Sequence, residues 1–177
     1  MEKSIISLSN VIEEWGGDVD DYLRSFKCEV NDSIESYLHN KAILHEREDA
    51  ARTSLLVEEA TSKIIGYFTL NTKIFEFTTA SGNNRKRLAG NKGATSFVTM
   101  LIAKLGRSDE FKGIVPGQEV LEAALYNCSI IKELSATKIV CVEYNDKQFL
   151  KCFYEEQNGF TLLQRNQNGL NCSFIKI

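Results

Sequence analysis

The sequence predicts an α/β (α+β) fold in which a mixed, mostly antiparallel twisted sheet carries helices on both faces. A central strand–helix–strand unit implies a right-handed parallel crossover, and strand-like runs on either side of it imply antiparallel hairpins. The unit comprises residues 96–105, 118–134 and 138–143, and the hairpins comprise residues 52–58 with 64–77 and 160–164 with 170–177. At a length of 177 residues, we expect residues 1–177 to form a single domain.

The central strand and the N-terminal helical region have clear local signals. Residues 96–105 are apolar almost throughout, which is typical of a strand buried on both faces. Residues 32–48 are predicted to form one helix, because Asp32 and Glu35 have the spacing of a capping box. In such a box, the Asp32 carboxylate accepts an exposed amide of the first helical turn, and the Glu35 carboxylate accepts the backbone amide of Asp32.

Two polar segments are assigned from their capping residues, their glycines and their polarity. Residues 146–157 are predicted to form a helix that Asp146 caps and that Gly159 ends in a left-handed conformation. Residues 78–93 are polar and glycine-rich, so we predict a long loop. This loop carries a basic cluster, Arg85, Lys86, Arg87 and Lys92. The first interpretation of the cluster is a solvated connection, and the second is a docking surface for an acidic acceptor or partner.

Composition excludes several classes of protein. Hydrophobic residues make up 43% and charged residues 25% of the chain, which excludes a disordered or coiled-coil chain. A net charge of −3 excludes a chain-wide polycation that binds nucleic acid. The cysteine count of five is odd and includes no C-x-x-C pair, so reduced thiols and a cytoplasmic location are predicted. We expect no metal, since the histidines, His39 and His45, lack i,i+4 spacing, and no membrane span.

A strand, a glycine-containing loop and a helix start near Gly117 form the first candidate site. A helix N-terminus presents unsatisfied N–H groups and a positive dipole end, so it can receive a pyrophosphate. Glycine at this point lets the backbone approach a ligand closely. An ordinary strand-to-helix turn would show the same pattern, so this signal alone decides nothing.

The segment that follows provides a resemblance. A strand at residues 138–143 leads to a helix with Phe153-Tyr154 and then to Asn158-Gly159-Phe160. This arrangement resembles the C-terminal part of the GCN5-related N-acetyltransferases, in a bacterial subgroup of that family. In element order the resemblance extends over roughly residues 52–177. It implies an acyl-CoA N-acyltransferase-like fold, acetyl-CoA as cosubstrate, and direct transfer of acetyl to a primary amine.

The resemblance also assigns cofactor-binding residues. In the family's pyrophosphate loop, Lys112 takes the Arg/Gln position, Val115 the first glycine position and Gly117 the second, so Val115 departs from the pattern. The backbone of Leu105 and Arg107 matches the edge that pairs with pantetheine. The predicted set is completed by Gly113, Gln118 and Asn145, and Asn145 is alternatively a cap of the last helix.

Two residues are candidates for catalysis. Tyr154 matches the tyrosine that many family members use to protonate the departing thiolate, and its alternative is a core aromatic residue. Glu143 is the candidate general base, because burial at the end of a strand is expected to raise its pKa. Its alternative is a charged strand end that faces solvent.

The acceptor is left open among a small amine, a protein N-terminus or lysine, and an aminoacyl-tRNA, the last of which would make the chain toxin-like. The acidic net charge argues against the tRNA, and the cluster around Arg85–Arg87 favours it. A non-catalytic interaction protein with the same fold is the alternative from another class. Val115 supports that alternative and Tyr154 argues against it. A homodimer is also left open.

Overall fold

The computed structural model describes all 177 residues. Seven strands form one sheet in the order β1-β2-β3-β4-β5-β7-β6. The strands are β1 (Lys3–Ser7), β2 (Arg52–Glu58), β3 (Ile64–Glu76), β4 (Ser96–Arg107), β5 (Ile139–Tyr144), β6 (Thr161–Arg165) and β7 (Asn171–Lys176).

Helices connect most of these strands, and no helix is long and apolar enough to cross a membrane. Short 3₁₀ turns lie at Gly16–Asp18 and Asp109–Phe111, and a π-helix spans Cys152–Gln157. The α-helices are α1 (Leu8–Trp15), α2 (Val19–Arg24), α3 (Asp32–Asn40), α4 (Ala42–Arg47), α5 (Gly82–Ala89), α6 (Gly117–Ser135) and α7 (Gln148–Lys151).

The pairing of the strands confirms the predicted mixed sheet. The ladders β1–β2, β2–β3, β5–β7 and β6–β7 are antiparallel. The β4–β5 ladder is parallel and consists of Met100–Val140, Leu101–Cys141 and Ile102–Val142. Both predicted hairpins and the central crossover are therefore present. Strand β4 continues beyond this short ladder to Arg107.

The chain divides into two compact units, and the expectation of a single domain stays a prediction. Unit 1 contains residues 1–71 and 103–126, and unit 2 contains residues 72–102 and 127–177. In unit 1, Tyr67 is fully buried, packs edge-on against Phe26 with ring centroids 5.3 Å apart, and donates a 2.6 Å hydrogen bond to the Ile34 carbonyl. These contacts hold α3 against the strands.

Two glycines let helices approach the strands of unit 1 from opposite sides. A Cβ at Gly66 would lie 2.6 Å from Val120 of α6, and a Cβ at Gly106 would overlap Ile34 of α3. Gly66 and Tyr67 are adjacent in β3 and point to opposite faces. A Cβ at Gly106 would contact Tyr67 as well as Ile34, so α3 covers the face to which Tyr67 points. The helix α6 covers the opposite face at Gly66, and helices therefore cover both faces of this unit, as predicted.

Unit 2 has its own aromatic core. Phe97 stacks on Phe75 and on Phe77, with ring centroids 6.0 Å and 4.9 Å away. Cys141 and Cys172 are fully buried in the same cluster, from β5 and β7. The apolar run of β4 is buried over Thr99 to Ile102. Val98 is 51% exposed, so the prediction of burial on both faces holds only for the middle of this strand.

The prediction of a long loop at residues 78–93 is wrong, because the segment contains α5. The Ser81 hydroxyl caps this helix by accepting the Asn84 amide, and Gly90 follows its end with a φ of 78°. Serine before a helix and glycine after it are standard boundary signals. The polar composition of the segment obscured them.

The helix predicted at residues 32–48 is two helices, α3 and α4, with a break at Lys41, where φ is −128°. Asn31, rather than Asp32, is the N-cap and accepts the Ser33 amide. The Glu35 carboxylate accepts the amide of Cys28. The capping signal therefore located the helix start correctly to within one residue but assigned the wrong side chain.

Asp146 does not cap the last helix, contrary to the prediction. The residue before α7 is Lys147, which makes no capping hydrogen bond, and Asp146 instead pairs with Lys151 and Asn171. Gly159 has a φ of 71°, so the predicted left-handed residue is confirmed. The second half of the predicted helix is the π-helix that holds Tyr154.

Because the Gly106 position is occupied by α3, we expect Gly106→Ala to destabilise the protein by about 1–3 kcal/mol, the usual cost of overpacking. Gly17→Ala is the matched control, since nothing lies within 4 Å of a Cβ at that position. Denaturant unfolding compares the two variants. Equal stabilities would show that α3 can move away from β4 at little cost.

Candidate active site

The loop after β4 is anchored to other parts of unit 1 at its start. The Ser108 amide donates to the Ile65 carbonyl and the Asp109 amide donates to the Lys27 carbonyl, both at 2.8 Å. The Asp109 carboxylate also accepts the Glu29 amide at 2.7 Å. The path of the loop from Arg107 toward α6 is therefore fixed by backbone hydrogen bonds.

Val115 is a structural residue of this loop. Its side chain is fully buried, and its amide donates to the Phe111 carbonyl at 3.0 Å. The amides of Lys112 and Ile114 are likewise used inside the loop, by Asp109 and Phe111. The amide at the family's first glycine position is thus occupied, so Val115 has no backbone donor to offer a pyrophosphate.

Three other amides lie outside these loop bonds, namely those of Gly113, Gly117 and Gln118. Gly113 is exposed in a left-handed conformation, with a φ of 81° and nothing within 4 Å of a Cβ. Gly117 and Gln118 begin α6, where the first amides of a helix have no intrahelical partner. The loop therefore retains donors at its middle and its end, and Lys112 is exposed beside them.

Arg107 adds a charged donor to the same loop. One terminal nitrogen donates to the Val115 carbonyl at 2.9 Å, while Nε is enclosed and has no hydrogen-bond partner. A buried donor without a partner is costly, and a bound anion would satisfy it. Leu105 lies two residues earlier and is half-buried. These residues fit the pyrophosphate of a coenzyme A molecule.

Tyr154 is held by an aromatic cluster in unit 2. Its ring centroid lies 5.1 Å from Tyr144, 5.0 Å from Phe153 and 5.7 Å from Phe160, and 9% of the residue is exposed. Burial raises the pKa of the Tyr154 hydroxyl to about 12. The hydroxyl therefore stays protonated over the whole physiological range.

The Tyr154 hydroxyl differs from those of the other buried tyrosines. Tyr37 bonds to His45, Tyr67 to the Ile34 carbonyl, and Tyr144 to Ser173, whereas Tyr154 makes no hydrogen bond. Its oxygen is not one of the fully enclosed unpaired atoms, so it keeps some accessible surface. A tyrosine that serves only the core normally finds a partner, so the free hydroxyl favours the functional interpretation.

Glu143 is surrounded by donors. Lys73 donates to its carboxylate at 2.7 Å, Asn166 at 2.8 Å and Asn168 at 3.1 Å. Burial by itself raises the pKa of Glu143, but the hydrogen bonds and the Lys73 charge outweigh it and hold the pKa below its usual value. The prediction of a raised pKa is wrong, because it considered burial without these partners.

The Glu143 carboxylate lines an open cleft of about 270 Å³ with Lys73, Thr78 and the turn between β6 and β7. Lys73 was not recognised in the sequence, because it lies 70 residues from Glu143 and only the sheet brings them together. Asn145 is exposed beyond the end of β5, and its carbonyl accepts the Lys147 amide. Its side chain does not cap α7.

The basic cluster is divided by the structure. Arg85 donates to the carbonyls of Ala80 and Ala94, both at 3.0 Å, and so closes the segment that contains α5. Arg87 packs over the Phe174 ring at 5.1 Å. Lys86 and Lys92 are exposed. Arg85 therefore has a structural role, and fewer of the four basic side chains are free to contact a partner than the sequence suggests.

The order and pairing of these elements are those of the acyl-CoA N-acyltransferase fold of the GCN5-related N-acetyltransferases, which confirms the predicted fold. No protein-family model and no curated protein matches the sequence. Solved structures match almost the whole chain. They include two toxins of this fold, AtaT and KacT.

AtaT complexed with acetyl-methionyl-tRNAfMet has a TM-score of 0.76 and 18% identity, over 99% of this chain and 95% of that chain. A tyrosine-to-phenylalanine mutant of KacT has a TM-score of 0.75 and 17% identity, over 99% and 95%. A tyrosine-to-phenylalanine mutant of AtaT, bound to the C-terminus of the antitoxin AtaR and acetyl-CoA, has a TM-score of 0.70 and 17% identity, over 99% and 94%. At these identities the likeness shows the fold.

The lowered pKa of Glu143 predicts a pH dependence of stability. A carboxyl whose folded pKa lies below its unfolded value of about 4.3 contributes stability above that pH and loses it as the pH falls through the folded pKa. We expect Glu143→Gln to reduce the acid loss of unfolding free energy between about pH 7 and pH 3. Glu76→Gln, an exposed position without an ion pair, is the control. Parallel pH curves for wild type and Glu143→Gln would contradict this assignment.

Proposed function

We propose that this protein is an N-acetyltransferase that moves acetyl from acetyl-CoA directly to a primary amine. The observation that carries the proposal is the Tyr154 hydroxyl, which is protonated and unbonded on a chain with the acyltransferase fold. Acetyl-CoA supplies the activated thioester when bound. The protein's own residues bind it, orient it and assist departure of the sulfur.

The cofactor is held by the residues of the loop after β4. The Arg107 guanidinium, whose Nε has no partner in the protein, and the amides of Gly113, Gly117 and Gln118 bind the pyrophosphate. The Leu105 and Arg107 backbone pairs with the pantetheine. Val115 contributes by shaping the loop, since its amide is bonded to Phe111 and its carbonyl to Arg107. Lys112 provides an exposed positive charge, and Asn145 stays a predicted contact.

Catalysis rests on orientation and on stabilising the leaving group. The amine nitrogen attacks the thioester carbonyl, a C–N bond forms, and the C–S bond breaks. The proton lost by the nitrogen balances the one gained by the sulfur. Because the pKa of Tyr154 is about 12, its hydroxyl donates a hydrogen bond to the leaving sulfur and stays available for this at neutral pH.

Glu143 has a weaker claim to a catalytic role. Its lowered pKa keeps it ionised, which makes it available as a proton acceptor but weak as a base. Its three donors occupy both carboxylate oxygens. We therefore propose that Glu143 organises Lys73 and the β6–β7 turn, and its role as general base stays a prediction.

A narrower candidate for the acceptor is the α-amino group of an aminoacyl-tRNA. The supporting observation is that AtaT, with a TM-score of 0.76, has been solved with acetyl-methionyl-tRNAfMet. The net charge of −3 opposes a large nucleic-acid surface, but a short contact with the acceptor end needs only local charge. A homodimer and a cytoplasmic location stay predictions.

Acetyl-CoA is expected to bind and to stabilise the fold. At a concentration 100 times Kd, the gain is about 2.7 kcal/mol. Arg107→Gln removes a charge-assisted hydrogen bond and should weaken binding by roughly 10- to 100-fold, while Arg24→Gln, on the exposed side of α2, should leave Kd unchanged. Calorimetry measures both. The absence of binding to wild type would favour a non-catalytic protein of this fold.

Tyr154→Phe is expected to lower turnover about 10²- to 10⁴-fold with little change in the Kd of acetyl-CoA. Because the Tyr154 hydroxyl makes no hydrogen bond, the variant should lose no stability. Tyr67→Phe is the matched control, since it removes the bond to Ile34 and should cost about 1 kcal/mol. Steady-state kinetics and denaturant unfolding give the two readouts. Loss of stability with full turnover would make Tyr154 a core residue.

A further inference from the structure

A second group of polar side chains lies on one face of β3 in unit 1. Tyr67 points into the cluster formed with α2 and α3. Side chains alternate along a strand, so Thr69 and Asn71 point to the same face as Tyr67. The Thr69 hydroxyl lies 3.1 Å from the Thr53 hydroxyl, and both residues are buried. Asn71 is therefore the next residue on this face after Thr69, whose hydroxyl is paired with that of Thr53.

Lys104 of β4 lies on this same face. The Gly106 position meets Ile34, Phe26 and Tyr67, and Lys104 is two residues earlier on the same strand. Its ammonium lies 5.4 Å from the centroid of the Tyr37 ring, which confirms the direction of the side chain. Tyr37 in turn stacks on Tyr67, with ring centroids 6.3 Å apart.

Neither Asn71 nor Lys104 has the partner that its chemistry calls for. The Asn71 Oδ1 atom is enclosed and accepts no hydrogen bond. Lys104 is half-buried, forms no ion pair, and has its pKa lowered by burial and by the charge of Lys41. In contrast, three of the other five lysines of this unit are paired with carboxylates, in the pairs Lys3–Glu119, Lys27–Glu35 and Lys63–Glu110, while the exposed Lys41 and Lys112 are not.

We propose that Asn71 and Lys104 form the acceptor subsite, in which Asn71 Oδ1 accepts a hydrogen bond from the acceptor's amino group and the Lys104 ammonium binds a phosphate of the same molecule. The inference rests on the proposed acetyltransferase function. Lys104 adjoins Leu105, the candidate pantetheine edge, and one residue along a strand spans about 3.3 Å. The Lys104 backbone therefore lies next to that edge, while its side chain points to the face of the sheet opposite that of the Leu105 side chain.

The chemistry of the two groups determines the class of acceptor. Asn71 Oδ1 needs a donor, and a neutral amide oxygen can hold an N–H without stabilising the ammonium form as a carboxylate would. The nitrogen lone pair stays available for attack. Lys104 and Lys41 are like charges without a carboxylate, and a phosphate would relieve their repulsion. The acceptor is thus an amine that carries phosphate.

The first experiment separates the phosphate contact from the chemistry. Methionyl-tRNAfMet and methioninamide present the same amino group with and without phosphates. Lys104→Gln should raise KM for the tRNA about tenfold or more and reduce its salt slope by about one, with methioninamide kcat/KM within about twofold of wild type. Lys104→Arg should retain most tRNA affinity. The control is Lys63→Gln, which removes a paired and exposed lysine. Equal effects on both amines, or none on either, would overturn the assignment of Lys104.

The second experiment tests Asn71 with a readout that a structural role would not move. Asn71→Ala should lower kcat/KM for both amines, with the acetyl-CoA Kd unchanged by calorimetry. Asn71→Asp should hold the acceptor as an ammonium ion, so its pH–rate profile should shift to higher pH. An unshifted profile for Asn71→Asp, or full activity of Asn71→Ala, would refute a contact between Asn71 and the amine.

The two proposals fail in different ways. If wild type acetylates neither amine, the proposed function fails, and binding of fluorescein-labelled deacylated tRNA then tests Lys104 by anisotropy. Lys104→Gln should weaken that binding about tenfold while Lys63→Gln leaves it unchanged. Equal binding by the two variants would overturn the phosphate contact whatever the catalytic result.

Discussion

The constraint on which unit 1 depends is the close approach of two helices to the backbones of β3 and β4. Gly66 leaves room for Val120 of α6, and Gly106 leaves room for Ile34 of α3. With both faces occupied, neither strand can move without disturbing a helix. Lys104, Leu105 and Arg107 lie within two residues of Gly106, so these residues, which are assigned to the cofactor and the acceptor, project from a closely packed part of the strand. Precise placement of this kind is what an orientation-based mechanism requires.

The unpaired polar atoms form an informative pattern. Two enclosed side-chain atoms lack hydrogen bonds, Arg107 Nε and Asn71 Oδ1, and both lie in unit 1. The other fully enclosed side-chain nitrogen and oxygen atoms are paired, as the Glu46 carboxylate is with the Thr53 amide. One unpaired atom is a donor and the other is an acceptor. An anionic cofactor and an amine acceptor would satisfy one each.

Local signals in the sequence located most of the fold and part of the site. The helix start at Gly117, the left-handed Gly159 and the position of Tyr154 are properties of neighbouring residues, so they could be predicted. The environment of Glu143 could not, because its pKa depends on Lys73, which is distant in sequence. The hydrogen bonding of the Val115 amide could not be predicted either, because it depends on how the loop folds back onto Phe111. The Glu143 environment therefore depends on a long-range contact, and the Val115 amide depends on the conformation of the loop.

The π-helix at Cys152–Gln157 has a consequence for how this site could have arisen. A π-turn holds one residue more than an α-helical turn. Because the elements on either side can keep their positions, the extra residue changes by about 100° the direction in which side chains of the turn itself point. An ancestor lacking that residue would present a different side chain where Tyr154 now lies, while keeping the sheet and the later strands. A single-codon insertion or deletion in this segment is therefore enough to move the tyrosine side chain into or out of its present position. Activity can therefore be gained or lost during the evolution of this fold without gradual changes to the residues of the core.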